Sequence, residues 1–98
     1  MENNLNLDEK IKLNIRKIYK GQLAIEDYID TQYINPKPMI VVELNKKIYN
    51  YRMLKPTLSK EELLKLTDSV CEYMEKAYDE LGRENFTFYD DGDVNYNG

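Results

Sequence analysis

Ser59 and Glu62 open the stretch that most constrains this chain. A serine followed three residues later by glutamate is a capping-box pair, in which each side chain accepts the other residue's backbone N–H. Leu58, just before it, can staple against Leu63. Leu63, Thr67, Val70, Met74, Ala77 and Leu81 then follow at spacings of four, three, four, three and four. That period is helical, and Leu64, Cys71 and Tyr78 widen it into a stripe broad enough for a core. Gly82 stands where a C′ glycine belongs, with Arg83 after it. The pattern predicts a long C-terminal amphipathic helix over Ser59–Leu81. The rest of the chain must cover one side of it.

The candidates for that cover lie upstream. Asn6 with Glu9 forms a second capping-box pattern, and Ile11, Ile15 and Ile18 follow at helical spacing. Gly21 reads as a C′ residue after Lys17 and Lys20, and Ala24-Ile25-Glu26-Asp27 reads as a fresh start. The expectation is an N-terminal helix or a helical pair, since Gly21 costs an unbroken helix over 7–33 about 1 kcal/mol. Asn35-Pro36-Lys37-Pro38 breaks the chain. Met39–Leu44 is rich in β-branched residues, Asn45-Lys46-Lys47 reads as a turn, and Ile48–Leu54 is strand-like, so the stretch predicts a β-hairpin. Phe86–Tyr89 can add a short third strand. The fold class expected is α+β, one small domain over 1–98, with 90–98 a flexible acidic tail.

The long helix carries a second pattern. Asp68, Glu72, Glu75 and Asp79 are spaced four, three, four, which aligns four carboxylates along one side. Lys65 and Lys76 flank that stripe, and nothing else obvious neutralises it. Asp90, Asp91 and Asp93 follow in the tail. The net charge of −4 is divided unevenly: residues 1–56 hold ten Lys/Arg against seven Asp/Glu, and residues 57–98 hold four against eleven. The acidic half therefore reads as the working surface, built to meet something basic. Four charges over eleven helical steps, roughly 16 Å, is one per roughly 4 Å, near the phosphate spacing of about 3.4 Å along one nucleic-acid strand.

Function classes can be narrowed further. With no histidine and one cysteine, Cys71, the chain lacks the commonest general base and any Cys-rich metal set. Cys71 sits on the core face, and Ser59 and Ser69 have no histidine partner, so no catalytic residue is expected. Asp91-Gly-Asp93-Val-Asn95 spaces oxygen ligands as a calcium loop does. Tyr96 replaces the turn glycine and no twelfth-position Glu follows, so neither a metal nor a cofactor is expected. The segment Met1–Asp8 lacks the basic and apolar regions of a signal peptide, and the lone cysteine fits a reducing compartment. No apolar run is long enough to span a bilayer, and the placement expected is cytoplasmic.

The expected function is a non-enzymatic protein-binding module, an inhibitor. Asp68, Glu72, Glu75 and Asp79, with Asp90, Asp91 and Asp93, would face a basic protein partner, as a nucleic-acid mimic faces a nucleic-acid-binding enzyme. In type, such a small acidic chain is similar to phage or mobile-element anti-defence proteins and to immunity proteins. A Lys, Asn, Ile and Tyr bias, as in AT-rich genes of a low-GC bacterium or its phage, accompanies it. The alternative is a nucleotide- or nucleic-acid-binding module that stacks bases on Tyr49 and Tyr51 and holds phosphate with Lys46, Lys47 and Arg52. Direct nucleic-acid binding is disfavoured by the acidic balance. A third reading is a homo-oligomeric structural subunit that pairs through the apolar side of the long helix.

Overall fold

A computed structural model describes residues 5–98. Residues 1–4, part of the segment read for a signal peptide, lie outside the described residues. Helix α1 (Leu7–Thr31) starts at the Asn6 cap, whose side chain accepts from the Glu9 N–H at 2.8 Å while Glu9 accepts from the Asn6 N–H at 3.1 Å. It runs unbroken through Gly21. That glycine is buried, and a Cβ built on it would overlap Met74 Cε and Tyr78 Oη. Gly21 is therefore a close-approach residue at the crossing with the next long helix, and the terminator reading is corrected.

Helix α2 (Met39–Leu54) replaces the expected β-hairpin. The Pro36 and Pro38 breaker holds, but the Pro38 carbonyl accepts from Val41 and Val42, and a helix starts there. Val41, Leu44, Ile48 and Tyr51 are buried, at helical spacings of three, four and three. Apolar residues also occupy the outer side at Met39, Val42, Tyr49 and Met53. A helix apolar on two sides reads as a continuous β-branched run, which hides its period.

Helix α3 (Lys60–Leu81) has Ser59 and Glu62 bonded reciprocally, at 3.2 and 2.9 Å. It ends at Gly82, whose φ of 100° only glycine adopts cheaply. The expectation of a C-terminal helix is corrected, because the chain continues beyond it. A 3-10 turn over Arg83–Asn85 leads into strand β1 (Phe86–Phe88), which pairs antiparallel with β2 (Val94–Tyr96), Phe86 facing Tyr96 and Phe88 facing Val94. Residues read as part of a free tail thus form the second strand, and the short strand read at Phe86–Tyr89 finds its partner there. Among the described residues, three α-helices and one two-stranded hairpin are compatible with an α+β class.

The core lies between α1 and α3, with α2 packed mainly on α3 and β2 on α1. Ile18, Ile25, Leu44, Ile48, Val70 and Met74 are almost fully enclosed. One polar pair interrupts the seam. The Asn14 amide donates to Thr67 Oγ1 at 3.0 Å and to Asp68 Oδ1 at 2.7 Å, while Thr67 donates to the Leu63 carbonyl at 2.9 Å. A slipped register would bury these groups unpaired, so the pair fixes how α1 sits on α3. Among the described residues, no helix is long and apolar enough to cross a membrane.

Candidate functional site

The hairpin folds back over the groove between α1 and α3 because its aromatic residues have a ready-made stack to join. Phe88 meets Tyr78 at 4.7 Å between ring centroids, Phe86 meets Tyr78 at 5.1 Å, and Tyr96 meets Tyr28 at 5.5 Å. Offset and edge-on rings at these separations attract beyond their burial. Gly92, at φ 93°, makes the tight turn and packs beside Leu13.

This arrangement leaves a cleft of about 350 Å³. Met74, Tyr78, Phe88 and Val94 give it an apolar floor. Lys17 of α1, Glu75 of α3, Arg83, and Tyr89, Asp90 and Asp93 of the hairpin line it with charge and an aromatic rim. One carboxylate of the helix stripe, Glu75, and two of the former tail, Asp90 and Asp93, therefore share one opening.

The stripe is exposed along its length, but it is not bare. Arg83 Nε donates to Asp79 Oδ1 at 2.9 Å, and its terminal nitrogen reaches the Glu75 carboxylate and the Glu75 carbonyl at 3.3 Å. The guanidinium also lies 5.1 Å from the Phe88 ring centre. Asp79, then Glu75, raise the Arg83 pKa above its ordinary value by these hydrogen bonds. Asp68 takes the Asn14 amide. Arg16 stands 3.8 Å from Asp91 and 3.9 Å from Asp93. Those two aspartates also accept backbone N–H groups in the turn, Asp91 from Asp93 at 3.0 Å and Asp93 from Val94 at 2.9 Å. Of the seven acids named from the sequence, Glu72 and Asp90 have no ion pair or hydrogen bond among the described residues. The reading of an unneutralised stripe is thus corrected at its C-terminal half. The signal was available, since Asp79 and Arg83 are four apart. Lys17 and Phe88 gave no sequence signal for the site, because their convergence depends on where the hairpin lands; Tyr89 was legible only as one of the tyrosines of the acidic half.

Cys71 lies at the cleft wall with Sγ 3.7 Å from the Asn14 carbonyl. Burial pushes its thiol up to about 11, with Asp68, Glu75 and Glu72 adding to the rise and Lys17 opposing it. The protonated thiol is the favoured form, so its contribution to stability is present below the ordinary value of 9.0 and is lost as pH rises through about 11. At pH 8 a two-unit shift leaves about 100-fold less thiolate than an ordinary thiol has. Iodoacetamide should therefore label native Cys71 at least about 100-fold more slowly than the urea-unfolded chain. Rates within about threefold of each other would refute the half-buried placement at the cleft wall. Burial, then Glu75, likewise raises the Tyr78 hydroxyl far above its usual range.

The residues of the alternative reading sit on α2 and point in different directions. Tyr51 is in the core, where burial raises its pKa. Lys47 lies over the Tyr73 ring at 4.8 Å, Arg52 donates to Gln22 at 3.1 Å, and Lys46 pairs with Glu43 at 3.6 Å. Lys46 and Tyr49 share a shallow outer groove. Among the described residues, no group of three or more Cys, Asp or Glu side chains converges as a metal site would. No family model, curated protein or solved structure matches this chain.

Proposed function

We propose that this chain is a non-enzymatic protein-binding module, an inhibitor of the anti-defence or immunity type, that offers an acidic surface to a basic protein. One observation supports this reading above the others. Glu75 on α3 and Asp90 and Asp93 on the hairpin, carried by different elements, line the same cleft. Asp68 and Glu72 extend that surface along α3. Its carboxylate spacing resembles a nucleic-acid strand, so the partner class is a nucleic-acid-binding enzyme, whose encounter such a field would accelerate. Arg83 and Arg16 narrow the surface. They already hold Glu75, Asp79, Asp91 and Asp93, which leaves Glu72 and Asp90 as the carboxylates freest to pair outward. Tyr89 at the rim supplies an aromatic contact of the kind enriched in protein interfaces. The single thiol fits a reducing, cytoplasmic setting.

The test is charge reversal. Glu72→Lys with Asp90→Lys should leave the helical circular dichroism signal unchanged, because both side chains are exposed and neither holds an ion pair or hydrogen bond among the described residues. Capture of basic proteins from host lysate at low salt should fall at least about tenfold, and wild-type capture should be released by high salt, since opposite charges at the surface are screened. Undiminished capture by the double variant would sink the reading.

A further inference from the structure

Among the described residues, nothing covers the outer apolar side of α2. Met39 is 69% exposed, Tyr49 63% and Met53 61%. With Val42 and Lys46 they form a stripe at spacings of three, four, three and four, the repeat of paired helices. It lies opposite Val41, Leu44, Ile48 and Tyr51, which face the chain's own core. We propose that a second copy of this chain docks antiparallel on this face, forming a twofold dimer. This goes beyond the acidic-surface reading and does not rest on it.

Charge selects the occupant. Lys47 is drawn inward over Tyr73, Arg52 inward to Gln22, and Lys37, which lines the same groove, is held by Glu26 at 3.1 Å, so the charges left at the stripe among the described residues are Glu43 and Lys46, one of each sign and 3.6 Å apart. An antiparallel pairing centred at the level of residue 44 sets Met39 of one copy against Tyr49 of the other, a favourable sulfur–aromatic contact. Val42 then meets the aliphatic stem of Lys46, whose Nζ lies between its own Glu43 and the Glu43 of the other copy. The face is thus self-complementary, as a twofold interface must be. The protein's shape leaves the face open, since its Cα extents are 39 × 33 × 16 Å, a slab too thin to wrap α2 on both sides.

A 16-residue helix is about 24 Å long, so this face falls short of the roughly 800 Å² per partner of a standard interface. The dimer should be weak, with a Kd of tens of micromolar as an order of magnitude. Sedimentation from about 5 µM to about 500 µM should show the mass moving from monomer to dimer. Tyr49→Glu with Met53→Glu, both at exposed positions, should raise the Kd at least about tenfold with the helical signal unchanged. Lys46→Glu should weaken association, and adding Glu43→Lys should restore it. A monomer at every concentration, a dimer untouched by the Tyr49/Met53 pair, or a charge swap that fails to restore pairing would each overturn the proposal.

Discussion

Replacing Gly21 with leucine should destabilise this protein by about 3 kcal/mol or more, and Gly21→Ala should destabilise it by about 1–2 kcal/mol. The alanine result tests the sign of the effect. At an ordinary mid-helix position, Gly→Ala stabilises by about 1 kcal/mol through helix propensity. Here the added methyl meets Met74 Cε and Tyr78 Oη. Met74 can yield part of the way, as an unbranched side chain does. Tyr78 cannot, because its ring is held between Phe86 and Phe88 at 5.1 and 4.7 Å. Leucine adds volume that neither neighbour can clear. Urea denaturation of the three proteins measures the series, and each kcal/mol should move Tm by about 4–8 °C. A more stable Gly21→Ala protein would show that α1 and α3 do not approach as closely as described.

The same crossing positions the cleft. Gly21 lets α3 come near enough for Tyr78 to stand between α1 and the hairpin, and the hairpin then carries Asp90 and Asp93 to the side of Glu75. A Tyr78→Phe background should shrink the Gly21→Ala penalty, because it removes the hydroxyl that the methyl strikes. A coupling of about 0.5–3 kcal/mol is the range for residues in contact.

What could be read from the sequence follows from where each signal is stored. The capping boxes at Asn6 and Ser59 are local, self-contained patterns, and both form as read. The core stripe of α3 has a single apolar side, so its period was visible. Gly21 carried two meanings, terminator or close approach, and the choice between them lies in Met74 and Tyr78, more than fifty residues away. The hairpin at Phe86–Tyr96 was half legible, since Phe86–Phe88 looks like a strand but Val94-Asn95-Tyr96 is short and sits among turn formers. Its stability comes from Tyr28, Tyr78 and the α1 surface, which no local window contains. For the same reason the site was legible as a set of acids but not as a cleft. The Arg83 bridge was written in the i,i+4 spacing; the Arg16 contacts were not.

Leu44→Ala should cost about 3 kcal/mol, within the 2–5 kcal/mol range for emptying a buried leucine site, while Val42→Ala should cost under about 1 kcal/mol. These two residues separate a helix from the hairpin that Met39–Leu54 suggests. In a strand, Val42 and Leu44 share a side, because side chains two apart point the same way. Their losses would then be alike. In α2 they point to opposite sides. Leu44 is 1% exposed among Val41, Ile48 and the α3 residues, and Val42 lies on the outer stripe. A proline at Ile48 sharpens the contrast. Inside α2 it removes a helical hydrogen bond and clashes with the carbonyl of Leu44, at a cost of about 3 kcal/mol or more beyond the lost packing. The readout is chemical denaturation at a protein concentration of about 1 µM, where the proposed weak pairing through α2 would be dissociated. At that concentration Val42 stays half-buried on the outer side and its small penalty reflects the monomer alone. Equal losses at 42 and 44 would restore the strand; a loss concentrated at Leu44 and Ile48 follows from a helix whose inner side is core and whose outer side is available to a second copy.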